Sequence, residues 1–330
     1  MKSNVLLVGM LLGLICGSVE SIHSESVEAG FGKIKLTGLM QIWYQNYQND
    51  NGATPFDTFQ LRRAEVKLSG EIKPDVSWAV MFDPAQQRED LARFSPLQDF
   101  LITMKPKKCY SVDFGQYKVP FGMEGLESSA KLDFVERSVL ASQFKWADAR
   151  DIGLTVKGDF NVGSTKIQPA IGLFNGEGQN KLDANQPMAI DGRIAVKPIK
   201  QLHIGVAHYN GKSGVAKTDN IHTGVEVKYS QDPITVYGEF ASGKSSSEDK
   251  QTYYTAVGYK FLKVYQAVLR YDFYDTDTDT KDNAKTEITV GLNYFIENHN
   301  SKIQLNYVFR GEEGTSVSDD IVRVNVQISY

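Results

Sequence analysis

The strongest constraint on this chain is an alternation of apolar and polar side chains with a period of two residues, which recurs from residue 33 to Tyr330. In residues 33–47 (KIKLTGLMQIWYQNY), the even positions from Ile34 to Ile42 are apolar or Gly, whereas the odd positions are mainly Lys, Thr and Gln. Successive side chains of a β-strand point to opposite faces. The pattern therefore predicts a strand with one apolar and one polar face.

About sixteen segments share this pattern, at residues 33–47, 57–73, 75–83, 98–106, 109–118, 150–159, 164–174, 189–198, 200–210, 220–230, 232–242, 251–261, 263–274, 284–297, 300–310 and 318–330. Tight turns between them alternate with longer polar connections, at 48–56, 84–97, 119–149, 175–188, 211–219, 243–250, 275–283 and 311–317. Short turns at one rim and long loops at the other are typical of outer-membrane barrels. We therefore predict an all-β fold, a transmembrane antiparallel β-barrel of about sixteen strands in the bacterial outer membrane.

Composition weighs against three other classes of protein. After the first twenty residues, no stretch approaches the roughly 18 uninterrupted apolar residues of a membrane helix. A net charge of −4 argues against a basic nucleic-acid-binding protein. A soluble β-sandwich remains the alternative, but the second face of these strands carries too few apolar residues to fill a core of that size.

The N-terminus has the pattern of a cleaved secretory signal. Lys2 is followed by an apolar run at 5–16 and then by the small residues Gly17, Ser18 and Ser21. We predict a signal peptide at 1–21 and a barrel domain at 22–330. Cleavage would leave Cys109 as the one cysteine, which excludes an intramolecular disulfide and a cysteine-based metal cluster.

Residues 119–149 form the longest stretch without alternation, between the fifth and sixth predicted strands. The stretch contains Phe121, Phe134, Phe144 and Trp146, large apolar side chains that need a surface to pack against. An ordinary external loop is the alternative. We favour a loop that folds into the barrel and narrows the channel.

Four runs in the first half of the chain resemble the phosphate-selective porin O and P family: 59–70 (FQLRRAEVKLSG), 81–85 (MFDPA), 114–122 (FGQYKVPFG) and 136–138 (ERS). The second half resembles that family only through its alternation. The resemblance implies a homotrimeric, sixteen-stranded channel, with the third long loop folded inside and a ladder of basic residues that leads anions to a constriction.

Carried onto this sequence, the ladder predicts a set of pore or anion-binding residues: Arg62, Arg63, Lys67, Lys118, Lys131, Arg137, Lys145 and Arg150. Strand parity points Arg63 and Lys67 inward, and it also assigns Arg270 and Arg323 to the lumen wall. Arg62 could instead lie at a rim, in contact with lipopolysaccharide or neighbouring carboxylates. Between Lys118 and Asp151 six acidic residues outnumber five basic ones, so phosphate selectivity is an implication of the family alone.

Other chemistry has little support in the sequence. Asp275, Asp277 and Asp279 have the spacing of a calcium loop, but Thr280 and Thr286 stand where such a loop needs Gly and Glu. We expect no catalytic residues, no metal site and no cofactor.

The expected function is passive diffusion of small solutes across the outer membrane, with a modest preference for anions and possible selection of phosphate. The expected partners are small inorganic or organic anions, outer-membrane lipid and lipopolysaccharide, and two further copies of the chain, with no nucleic acid. The alternative is an outer-membrane barrel enzyme such as a lipid hydrolase. That enzyme would need a nucleophile–base pair on the lipid-facing rim, where His208 has no evident serine partner.

Overall fold

The computed structural model describes residues 26–29, 32–48, 57–85, 96–143, 149–246, 248–314 and 319–330. Two short strands are β1 (Ser26–Ala29) and β8 (Phe160–Val162). The longer strands are β2 (Gly32–Tyr47), β3 (Asp57–Lys73), β4 (Val76–Phe82), β5 (Leu97–Lys107), β6 (Tyr110–Lys118), β7 (Arg150–Gly158), β9 (Thr165–Phe174), β10 (Ala189–Ile199), β11 (Leu202–Ser213), β12 (Thr218–Gln231), β13 (Ile234–Ser245), β14 (Glu248–Phe261), β15 (Tyr265–Asp275), β16 (Lys285–Glu297), β17 (Ser301–Glu312) and β18 (Ile321–Ser329).

These longer strands form a closed antiparallel barrel of sixteen strands. Each pairs with its neighbour in the chain, and β18 pairs with β2, with Ile328 opposite Met40, which closes the sheet. β8 extends the edge of β7 against β9, and β1 pairs with the start of β2. The predicted fold class and strand number are confirmed. The predicted signal peptide, residues 1–21, lies outside the described residues.

The connections differ between the two rims, here called the turn side and the loop side. On the turn side, β3 joins β4 at Pro74, and β12 joins β13 through Asp232 and Pro233. Two of the predicted long loops on the loop side, 211–219 and 243–250, are wrong, because β11 and β12 are joined by only 214–217 and β13 and β14 by only 246–247. The strand ends there are polar on both faces, with Lys212 opposite Asp219, and they lack the alternation that marks a strand within the bilayer.

The two faces of the barrel wall have opposite chemistry. Apolar side chains that point outward are exposed, including Ile42, Phe100 and Val225. Many inward positions are polar and buried, including Asp272, Asn293 and Gln304. Lipid is the natural partner of such an outer face. Among the described residues, no helix is long and apolar enough to span a bilayer.

Candidate functional site: the barrel lumen

A β-bulge in β3 places two consecutive arginines in the lumen. Gln41 of β2 pairs with Arg63, but the next residue, Ile42, pairs with Leu61, so Arg62 is an extra residue in β3. Outward apolar side chains lie at odd positions before the bulge, at Phe59 and Leu61, and at even positions after it. A bulge of this kind locally resets the two-residue alternation. Arg62 is therefore directed to the lumen side of the wall, where it contacts a neighbouring carboxylate, that of Glu136.

Both arginines have partners inside the barrel. The Arg62 guanidinium lies 4.9 Å from the centre of the Trp43 ring and 3.4 Å from the Glu136 carboxylate of the segment after β6. Arg63 donates a hydrogen bond of 2.7 Å to Gln41 and lies 3.5 Å from the carboxylate of Glu65. The two arginines thus connect the wall to residues 119–143, here called the inner segment.

The inner segment packs against inward-facing aromatic residues of the wall. It contains two short helices, Met123–Leu126 and Val139–Gln143, and one 3-10 turn, Ser129–Lys131. Phe121, Phe134 and Leu140 are almost fully buried, in one apolar cluster with Tyr237 and Tyr254 of the wall. This burial explains why a loop of a membrane channel carries so many apolar side chains.

Buried charged groups of the wall hold the main chain of the inner segment. Glu239 accepts hydrogen bonds of 2.7 Å from the backbone N–H groups of Met123 and Glu124. Asp272 accepts a 2.9 Å bond from the N–H of Val139. Arg270, paired with Asp272 at 2.7 Å, donates to the carbonyls of Glu136 and Arg137 at 3.0 and 3.2 Å.

Side-chain amides and one lysine bind the middle of the same segment. Asn306 accepts a 2.8 Å bond from the N–H of Val135, and Asn293 donates one of 2.7 Å to the carbonyl of Asp133. Gln304, Lys302 and Gln327 bind carbonyls between Ala130 and Asp133. An Asn or Gln side chain offers both a donor and acceptors, which suits it to hold a segment that presents both N–H and C=O groups.

Two cavities border the inner segment, and their charges differ. The turn-side cavity, of about 610 Å³, is lined by five basic residues and two acidic ones: Lys35, Lys67, Lys118, Lys131 and Arg150, with Glu65 and Asp99. The loop-side cavity, of about 510 Å³, is lined by four of each: Arg137, Lys285, Arg310 and Arg323, with Glu136, Glu287, Glu312 and Asp319. The basic surplus therefore lies on the turn side.

The predicted pore residues line different cavities. Lys67, Lys118, Lys131 and Arg150 line the turn-side cavity, whereas Arg137 lines the loop-side one. Lys67 and Arg150 both lie near the Asp99 carboxylate, at 3.9 and 2.7 Å. Lys145 lies outside the described residues.

Three lumen residues of consequence were not among the predicted pore residues. Glu136 contacts Arg62, Trp43 lies under the same guanidinium, and Arg323 donates a 2.9 Å bond to Gln45. Parity in β18 did assign Arg323 to the lumen wall, and parity in β2 could have identified Trp43. Glu136 belongs to the run 136–138 that resembles the family, but no pattern in the sequence indicates that it faces the arginines.

Glu136 is the best-defined anionic group among these arginines. Burial would raise the pKa of its carboxyl group, but the guanidinium groups of Arg62, Arg63 and Arg323 and the N–H of Arg137 bring this pKa down to about 2. Glu136 is therefore ionised at any physiological pH. The cluster binds a carboxylate within the protein.

The described residues also bear on two other kinds of site, a metal site and a hydrolytic site. Within the described part of the chain, no group of three or more His, Cys, Asp and Glu side chains is arranged to hold a metal ion. On the outer face, His208 forms a 2.9 Å hydrogen bond with Thr223. Among the described residues, no carboxylate is hydrogen-bonded to the other ring nitrogen of His208, a contact that a hydrolase would use to orient its base.

The sequence matches the profile of a family described as "Phosphate-selective porin O and P" over residues 34–257 and 262–330. No curated protein matches the chain at a significant level.

Several solved structures with a similar fold are distant in sequence. The outer-membrane channel DcaP of Acinetobacter baumannii is 16% identical, with a TM-score of 0.64 over 90% of this chain and 97% of that one. An anion-selective porin from Comamonas acidovorans is 13% identical, with a TM-score of 0.66 over 93% and 100%. The trimer form of OmpT from Vibrio cholerae is 10% identical, with a TM-score of 0.63 over 90% and 99%.

Proposed function

The chain belongs to the phosphate-selective porin O and P family and forms a passive channel of the outer membrane, and from that premise we propose that its lumen favours small anions over cations. The observation that carries the proposal is the Arg62 guanidinium, 3.4 Å from the Glu136 carboxylate, with Arg63 and Arg323 close enough to help lower the pKa of the same carboxyl group. Guanidinium groups in a confined lumen raise the local concentration of anions, because the surrounding low-dielectric wall focuses their field.

In this proposal the inner segment, the described part of the predicted constriction loop 119–149, narrows the channel. Its hydrogen bonds to Asn306, Asn293 and Asp272 keep it against one side of the wall. An anion that enters the loop-side cavity meets Arg137 and Arg323, then Arg62 and Arg63, and then the lysine-rich turn-side cavity. The preference is modest, because carboxylates accompany most of the basic groups.

We also propose a homotrimer and a lipid-covered outer face. A trimer form is known for the similar OmpT barrel, and β4, with seven residues, is the shortest strand of this barrel. Packing one barrel wall against another would cover that short strand. Elsewhere the exposed apolar side chains suit contact with outer-membrane lipid and lipopolysaccharide.

The family and the fold indicate a channel rather than an enzyme. The proposal therefore assigns no catalytic residue, cofactor or metal. Lipid turnover by the purified barrel, abolished by His208→Ala, would instead support the hydrolase.

Reversal potentials in a potassium chloride gradient across a planar bilayer test the proposed selectivity. We expect an anion-selective potential that shrinks as salt rises, because screening shortens the reach of the lumen charges. Repeating the gradient with potassium phosphate tests the preference for phosphate. A cation-selective wild-type channel would contradict the proposal.

A further inference from the structure

The carboxylate of Glu136 lies among the lumen arginines. It lies 3.4 Å from Arg62, and its own backbone is held in place, with the carbonyl of Glu136 bound by Arg270 at 3.0 Å. The side chains of Arg62 and Glu136 are 29% and 22% exposed. Both groups are therefore partly accessible to solvent, and Glu136 lines the loop-side cavity.

We propose that this cluster is a recognition site for small carboxylates and that Glu136 is its tethered competitor, which a permeating solute must displace. This inference rests on the proposed function and names its solute class. A guanidinium group pairs with the two oxygens of a planar carboxylate through parallel hydrogen bonds. Glu136 shows that the cluster accepts a group of that chemistry.

Trp43 adds a second observation at the same place. Its side chain is only 2% exposed, it lies under the Arg62 guanidinium, and no acceptor among the described residues reaches its indole N–H. A buried donor without an acceptor costs free energy. An oxygen atom of a bound solute could relieve that cost, which Glu136 does not do.

A tethered competitor keeps affinity low, because every solute must break the pair between Glu136 and Arg62 before it binds. The low pKa of Glu136 has the same cause, since the arginines favour its charged form. Weak binding suits a channel, where a solute must leave as readily as it enters. Glu136 thus sets the affinity of the site.

Glu136→Gln tests this inference, with Glu127→Gln as the matched control. Both variants remove one negative charge from the inner segment, but the Glu127 carboxylate accepts a bond from Ser128 and does not contact Arg62. Single-channel conductance is measured against the concentration of potassium acetate, with potassium chloride as the reference. We expect Glu136→Gln to lower the half-saturating concentration of acetate about fivefold. The half-saturating concentration of chloride should fall by a smaller factor.

A third variant, Glu136→Asp, keeps the negative charge but shortens the side chain by one methylene. We expect its half-saturating acetate concentration to lie between the values of the wild type and Glu136→Gln. Heat-modifiable migration of the three variants checks that the barrels are folded. Equal shifts in Glu136→Gln and Glu127→Gln, or no shift in either, would overturn the inference. An anion-selective wild type with unshifted variants would leave the proposed function intact, whereas a cation-selective wild type would contradict the proposed function itself.

Discussion

Two parts of the barrel wall use their inward side chains for different purposes. In strands β13–β18, here called the anchoring wall, inward side chains form hydrogen bonds with the main chain of the inner segment. These side chains include Glu239, Asp272, Asn293 and Asn306. Strands β3–β5, the open wall, present Glu65, Lys67 and Asp99 to the turn-side cavity. The anchoring wall therefore binds the main chain of the inner segment, whereas the open wall lines a cavity that a solute would enter. Disrupting the anchoring wall should therefore change the size of the channel, whereas replacing Arg62 and Arg63 of the open wall should change its selectivity.

Arg270→Ala should have the largest effect. It leaves Asp272 and Glu124 buried without their cationic partner, and removing one member of a buried ion pair costs about 3–5 kcal/mol. We expect the inner segment to detach, with a higher and noisier single-channel conductance and new trypsin cleavage within 119–143. Arg310→Ala is the control, because the pairs that Arg310 makes with Glu287 and Asp319 are partly exposed. Equal effects in both variants would show that Arg270 is not an anchor.

The double variant Arg62→Gln/Arg63→Gln should change selectivity while conductance changes little. It removes two positive charges beside Glu136, so we expect the anion-to-cation permeability ratio to fall about threefold at low salt. The control is Lys212→Gln/Lys244→Gln, which removes the same charge from exposed lysines that line neither cavity. If the two double variants gave the same reversal potential, total charge rather than position would decide selectivity.

Asn306→Ala should loosen the inner segment locally. The N–H of Val135 loses its buried acceptor, at a cost of about 1–2 kcal/mol. We expect faster hydrogen–deuterium exchange in peptides that span 132–137, and unchanged exchange in Asn210→Ala, where the side chain is exposed. Unaltered exchange in Asn306→Ala would mean that the other amide contacts hold the segment without Asn306.

The smallest effect concerns pH. The pKa of Glu136 is lowered from its usual 4.5 to about 2, so the folded state favours the ionised form. The stability from this pairing is fully present above pH 4.5 and is lost as the pH falls toward 2. The difference in chloride reversal potential between wild type and Glu136→Gln should therefore persist to about pH 3. A difference that vanished near pH 4.5 would show that Glu136 is not held by the arginines.

The barrel could be predicted from the sequence because the pattern that specifies it lies within each strand. Each strand alternates between lipid-facing and lumen-facing side chains, so all sixteen strands were located to within a few residues. The prediction failed at 211–219 and 243–250, where the strands extend with polar side chains on both faces.

The lumen site was only partly predictable, because its contacts join distant parts of the chain. The pair between Arg62 and Glu136 spans 74 residues, and the bond from Val135 to Asn306 spans 171. Parity identifies which wall residues point inward, but it does not show which of them bind the inner segment. The bulge did leave a signal in the sequence, since the outward apolar positions change from odd at Leu61 to even at Val66.

That bulge also determines how β3 would tolerate a change in its length. Deleting one residue within a regular strand exchanges the lipid-facing and lumen-facing side chains on one side of the deletion. Deleting Arg62 would not, because Arg62 is the extra residue between Leu61 and Arg63, and its loss would restore an unbroken alternation. Insertion of the barrel into the membrane should therefore survive deletion of Arg62 and fail on deletion of Lys67. Each deletion removes one positive charge from the lumen, so the bulge, and not the lost charge, decides where this strand tolerates a single-residue gap.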